Sequence, residues 1–174
     1  MLMRKFNAVL SLLTTVLLLD HSIFNAVWMI SKGTIEKGGA FMSWILFALM
    51  LLHAVISVDL VISAHSENRK CKSYPKLNVA TMVQRISGIV LIVFAALHVA
   101  GAAGFMTPPK IIHAILPPLF FIIAMVHVAV STSKALITLG IGNTGVVKGV
   151  DIVIKVICAA TIIAALIGFY LYKV

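Results

Sequence analysis

Apolar residues run along this chain in five long blocks, separated by short stretches rich in Lys, Gly, Pro, Ser and Asn. The blocks span about residues 7–30, 40–65, 79–104, 111–137 and 150–172. Each is long enough, at about 1.5 Å per helical residue, to cross the ~30 Å hydrocarbon layer of a bilayer. The breaks are sharp. Lys32-Gly33 and Lys37-Gly38-Gly39 divide the first two blocks, and Ser66 to Lys76, with Pro75, divides the second from the third. Thr107-Pro108-Pro109-Lys110 makes a short turn before the fourth, and Gly140, Gly142, Asn143 and Gly145 precede the fifth. Pro117-Pro118 falls inside the fourth block and predicts a kink there. The first block follows Arg4 and Lys5, as a secretory leader would. It runs on to about Ile30 with no small-residue cleavage site, and so reads as a membrane helix.

Composition agrees. Of 174 residues, 61% are hydrophobic and only 11% charged, too few charges to keep a soluble domain of this length in solution. The expected fold is all-α: one integral membrane domain over residues 1–174, a bundle of five transmembrane helices with the lipid bilayer as its surroundings. The net charge of +9 comes from 14 Lys and Arg against 5 Asp and Glu. The basic residues sit at the ends of the apolar blocks, where they anchor helices to headgroups, so no nucleic-acid partner is expected. Arg4, Lys5, Arg69, Lys70, Lys72, Lys76, Lys134 and Lys148 would share one side of the membrane. Lys32, Lys37, Lys110 and Lys173 would share the other. The positive-inside rule then places the N-terminus in the cytoplasm. Cys71 and Cys158 form no metal-ligand pattern, and each is expected to be a free thiol.

Four of the six histidines lie within blocks, one per helix in the first four: His21, His53, His98 and His127. Imidazoles are costly in lipid and face the interior of a bundle, usually with a function. Neutral imidazole is also a common haem-iron ligand, and two of them saturate the iron for electron transfer. Depth suggests the pairing. His21 lies 17 residues past Arg4 and His98 lies 22 past Lys76, both towards the outer leaflet. His127 is 7 residues before Lys134, and His53 is 12 before His65, both nearer the cytoplasm. His21 with His98 would hold one haem b, and His53 with His127 a second.

The helix faces accord with this. Gln84, Gly88, Leu91, Ala95, His98 and Ala102 share a narrow stripe, whose small residues would let a flat macrocycle, or another helix, approach the backbone. Thr14, His21, Asn25 and Trp28 share a face of the first helix. Ser131 and Lys134 lie below His127 on the fourth. Lys134 and Arg85 are placed either to pair with haem propionates or to snorkel as anchors.

The run Met82-Val83-Gln84-Arg85-Ile86-Ser87-Gly88-Ile89, with His98 fourteen residues after Gln84, resembles the corresponding helix of succinate dehydrogenase and fumarate reductase cytochrome b subunits. The likeness is to the five-helix, dihaem, single-chain membrane anchor of succinate:menaquinone and quinol:fumarate oxidoreductases. His53-Ala54-Val55, Asp20-His21 and Val126-His127 fall where that family has its other ligands. Ile56-Ser57 stands where the family tends to have an aromatic and a glycine. The resemblance implies a distal haem on the first and third helices and a proximal haem on the second and fourth. It also implies flavoprotein and iron–sulfur subunits docked at the cytoplasmic face, menaquinone as substrate, and a prokaryotic cell membrane as location. The dicarboxylate chemistry would belong to a partner subunit and the quinone site to this chain.

Quinone chemistry needs a proton carrier near the distal haem. Glu36, in the loop after the first helix, is the first candidate, although a solvated loop charge is its plainer reading. Asp20 is the second, and His113 would line the quinone site. Asp59 is turned away from His53 and expected to meet Lys155 or Arg85, while His65 would sit among headgroups. Two other function classes fit the same pattern. One is a stand-alone dihaem quinol or superoxide oxidoreductase of the cytochrome b561 type. The other is a haem-free scaffold or transporter whose histidines relay protons.

Overall fold

A computed structural model describes residues 2–34, 40–70, 79–105 and 110–173. They form five helices: α1 (Leu2–Ile30), α2 (Ala40–Lys70), α3 (Val79–Ala102), α4 (Lys110–Thr138) and α5 (Thr144–Lys173). All five contain a segment long and apolar enough to cross a membrane. The chain is a multi-pass membrane protein. Helices α1, α2 and α5 run about five residues beyond the apolar blocks, because polar turns such as Arg4-Lys5 continue the helix past the hydrocarbon into the headgroup layer. Helix α4 continues through Pro117 and Pro118.

Local chemistry ends the helices where the blocks end. In three of them the last turn closes with a backbone bond five residues back: Gly33 N to Trp28 O, Phe105 N to Ala100 O and Ile141 N to Leu136 O. The residue before each donor, respectively Lys32, Gly104 and Gly140, has positive φ, as this cap requires. Asn143 opens α5, its Oδ1 accepting the N–H groups of Gly145 and Val146.

Side chains are distributed inside out. Large apolar residues such as Val55, Ile62, Ile89, Ile152, Val156 and Ile163 point away from the bundle. The buried positions are mostly small or hydroxylated: Ala26, Ala95, Ala124, Ser22, Thr132 and Thr161 among them. Lipid covers the first set, and the second lets helices approach closely. One close approach is at Gly168 of α5. A Cβ there would stand 3.0 Å from Met29 Cβ and 3.1 Å from the Ala26 carbonyl oxygen of α1. Met125, Val128, Leu91 and Cys158 form a small apolar core between α3, α4 and α5, and Cys158 is a free thiol.

The helices form a ring with a buttress. Helix α1 packs on α2 and α4, and α3 packs on α4, while α2 and α3 touch only briefly. Helix α5 lies outside the ring against α1 and α4. Among the described residues, no Cα of α1 comes within 8 Å of α3, nor of α2 within 8 Å of α4. These are the two diagonals of the ring. All four intramembrane histidines are on ring helices, and α5 carries none.

Candidate functional site

Cross-helix contacts fix the register and so the level of each histidine. On α1 and α2, Asn7 Nδ2 donates to Ser57 Oγ at 3.1 Å, and His21 Nδ1 meets Ser43 Oγ at 3.3 Å. On α3 and α4, Lys134 Nζ donates to Gln84 Oε1 at 2.8 Å, Ser87 Oγ meets His127 Nδ1 at 2.9 Å, and the rings of His98 and Phe120 stack with centroids 5.4 Å apart. Antiparallel pairing therefore puts His53 and His127 in one layer, towards the face where α1 begins (the N-face). His21 and His98 lie in another, towards the opposite C-face. At about 1.5 Å per residue the layers are roughly 10–16 Å apart. In each layer the two histidines belong to diagonal helices.

The N-face layer is polar and enclosed. The His53 ring reaches the backbone carbonyl of Asn7 on α1, and the imidazoles of His53 and His127 lie within electrostatic reach of each other. His127 sits against α3 at Gly88, where a Cβ would come 3.2 Å from its Cε1. Three buried polar atoms there have no hydrogen-bond partner: Asn7 Oδ1, His53 Nδ1 and Ser131 Oγ. Ser131 is telling. Thr14, Ser87, Thr132, Thr138 and Thr161 return their hydroxyl protons to the carbonyl four residues back, and Ser131 does not. A buried hydroxyl left unpaired costs about 1–3 kcal/mol.

At its edge, Lys134 turns inward. Its ammonium donates to Thr81 Oγ1 at 2.9 Å and to Gln84 Oε1, both neutral acceptors, with Arg85 close enough to be felt electrostatically. Arg85 itself is exposed. Among the described residues no carboxylate pairs with either cation; the only ion pair is Lys155 with Asp151 on α5, and Asp151 also accepts from Ser133 of α4. The expected contact of Asp59 with Lys155 or Arg85 is thus not made. Asp59 is exposed, and Lys155 is engaged one turn away on its own helix.

The C-face layer is satisfied locally and open to the side. His21 Nε2 lies 3.2 Å from Asn25 Nδ2, which also donates to the His21 carbonyl at 2.6 Å. His98 is exposed, and its ring stacks on Phe120. A cleft of about 310 Å³ opens beside His21, lined by Leu17, Asp20, Phe24, Asn25, Met42 and Ser43. Asp20 and His21 thus share one opening despite pointing in different directions from α1. Glu36 lies outside the described residues, as do Cys71 and the side chains of His65 and His113.

Sequence reasoning missed Asn7, Ser43 and Phe120, and it quoted Ser57 and Ser87 only within motifs. Asn7 was the one with a signal: it is an amide in the first turns of an apolar block. No three His, Cys, Asp or Glu side chains among the described residues gather into a self-contained metal centre; a bis-His haem asks for only two protein ligands per iron. No protein-family model, curated protein or solved structure matches the chain.

Proposed function

We propose that this chain is a dihaem cytochrome b membrane anchor. It would pass electrons between a flavoprotein and iron–sulfur pair at the cytoplasmic face, taken to be the N-face, and menaquinone in the membrane. The observation that carries the reading is the stacking of four histidines in two layers, each layer on diagonal helices whose backbones stay apart.

The residues present fit two haem b groups. In the N-face layer, His53 and His127 would ligate one iron. Ser131 Oγ is a buried hydroxyl free to donate to a propionate, and His53 Nδ1 is a buried ring nitrogen without a partner. Gly88 leaves His127 its seat against α3, and Lys134, Gln84 and Arg85 supply donors for propionate carboxylates. In the C-face layer, His21 and His98 would ligate the other iron after Asn25 and Phe120 give way. When bound, the two haems supply one-electron carriers at two depths of the bilayer. The chain's own part is to hold each ring nitrogen in place and to keep the N-face layer dry. The cleft beside His21 suits a quinone headgroup, with Asp20 at its wall as proton carrier.

The test is the reduced-minus-oxidised spectrum of purified chain together with haem quantitation. The proposal expects a b-type α band and about two haems per chain. A chain that takes up no haem under ample supply would leave only the scaffold reading. Co-purification of the native protein separates the anchor from a free-standing oxidoreductase: the anchor brings flavin and iron–sulfur subunits with it.

A further inference from the structure

Ser87 Oγ has three neighbours and one proton. Val83 O is 2.6 Å away, Gln84 O 3.2 Å and His127 Nδ1 2.9 Å. Two oxygens 2.6 Å apart repel unless a proton lies between them, so the hydroxyl donates to Val83. The serine oxygen can then only accept from the imidazole. His127 is therefore protonated on Nδ1, with the Gln84 carbonyl as a second acceptor in reach. Its Nε2 keeps a lone pair.

His21 reaches the same state by a separate route. Asn25 Nδ2 is identified as the amide nitrogen by its 2.6 Å contact with the His21 carbonyl. Its other hydrogen points to Nε2 at 3.2 Å, which must then be the acceptor. Nδ1 of His21 is left as the donor to Ser43 Oγ. In both layers a serine from the next helix takes the Nδ1 proton.

We infer that Ser87 and Ser43 are positioning residues that hold His127 and His21 in the Nδ1–H tautomer, presenting Nε2 to a metal. This deepens the haem proposal and rests on it for its purpose, though the tautomer is a property of the protein alone. A ring nitrogen's role is set by the hydrogen bond its partner nitrogen makes.

The experiment is nitrogen NMR on full-length chain labelled with ¹⁵N-histidine and produced without haem, with the His127 signals assigned by their loss in His127→Gln. The expected wild-type spectrum shows Nδ1 protonated over Nε2 by roughly 2- to 12-fold, the bias one ordinary hydrogen bond supplies. Ser87→Ala should bring the two tautomers to comparable populations. Ser87→Thr, which keeps the hydroxyl, should preserve the wild-type ratio. An Nε2–H tautomer in the wild type, or an unchanged ratio in Ser87→Ala, overturns the inference. The two proposals fail differently. A haem-free protein whose tautomer still depends on Ser87 upholds this inference against the haem reading. A dihaem protein whose tautomer ignores Ser87 does the reverse.

Discussion

The two histidine layers use similar residues and solve different problems. In the N-face layer the polar atoms are enclosed, and three of them lack partners. In the C-face layer His21 has a neighbour at each ring nitrogen, His98 is exposed on Phe120, and a cleft leads in beside Asp20. Burying unpaired polar atoms is costly. An open, locally satisfied layer costs little when empty and admits a diffusing molecule. On the dihaem proposal, the N-face layer would hold its haem permanently and the C-face layer would hold one beside an exchangeable substrate.

On the dihaem proposal, the largest test of that contrast is removal of the four histidines. His53→Ala and His127→Ala should each abolish the same haem, leaving about half the pigment. His21→Ala and His98→Ala should each remove the other. Haem quantitation with redox titration reads the outcome, and the midpoint that disappears identifies the layer. If His98→Ala removed the haem lost with His53→Ala, the diagonal pairing would be wrong.

A smaller effect should come from the α1–α5 seam. Gly168 packs against Ala26 and Met29, one to two turns beyond His21 on α1, and a backbone carbonyl cannot yield as a side chain can. Gly168→Val should destabilise the bundle by roughly 1–3 kcal/mol, in the range of overpacked cores. Because the strain enters at the C-face end, it should loosen the His21 haem while the His53–His127 haem is retained. Unfolding in mixed micelles gives the stability and haem quantitation the selectivity. Equal loss of both haems would show that the layers are not mechanically separate.

The contrast also explains what could be read in advance. Helix rise is constant, so counting residues from Arg4, Lys76, Lys134 and His65 suggested two levels for the four histidines. The five helices were equally plain, because length and hydrophobicity alone decide a membrane span. Helix neighbours were not, since lipid satisfies every apolar face alike and nothing in the pattern of α5 says that it lies against α1 and α4. The serines were hidden for another reason. A helical hydroxyl usually bonds its own backbone, and Ser87 does so while also receiving a proton from another helix. Asp59 misled because an intramembrane carboxylate suggests a distant cation, whereas Lys155 had a partner one turn away in Asp151.

That local pair gives the smallest prediction. Asp151 joins Lys155 of its own helix to Ser133 of α4, beside Lys134 and on the helix that bears His127. If the clamp held His127 in position, neutralising it would disturb the N-face layer. Two facts argue for a minor role. The pair is open, with side-chain exposures of 55% for Lys155 and 24% for Asp151, and such i,i+4 pairs contribute under about 1 kcal/mol. Asparagine would also keep an oxygen to accept from Ser133. Asp151→Asn should therefore lower stability by less than about 1 kcal/mol, an effect that shrinks further in high salt, and leave haem content unchanged. A selective loss of the His53–His127 haem in this variant would move the boundary of the N-face layer outward to α5, and the buttress would have to be counted as part of the site.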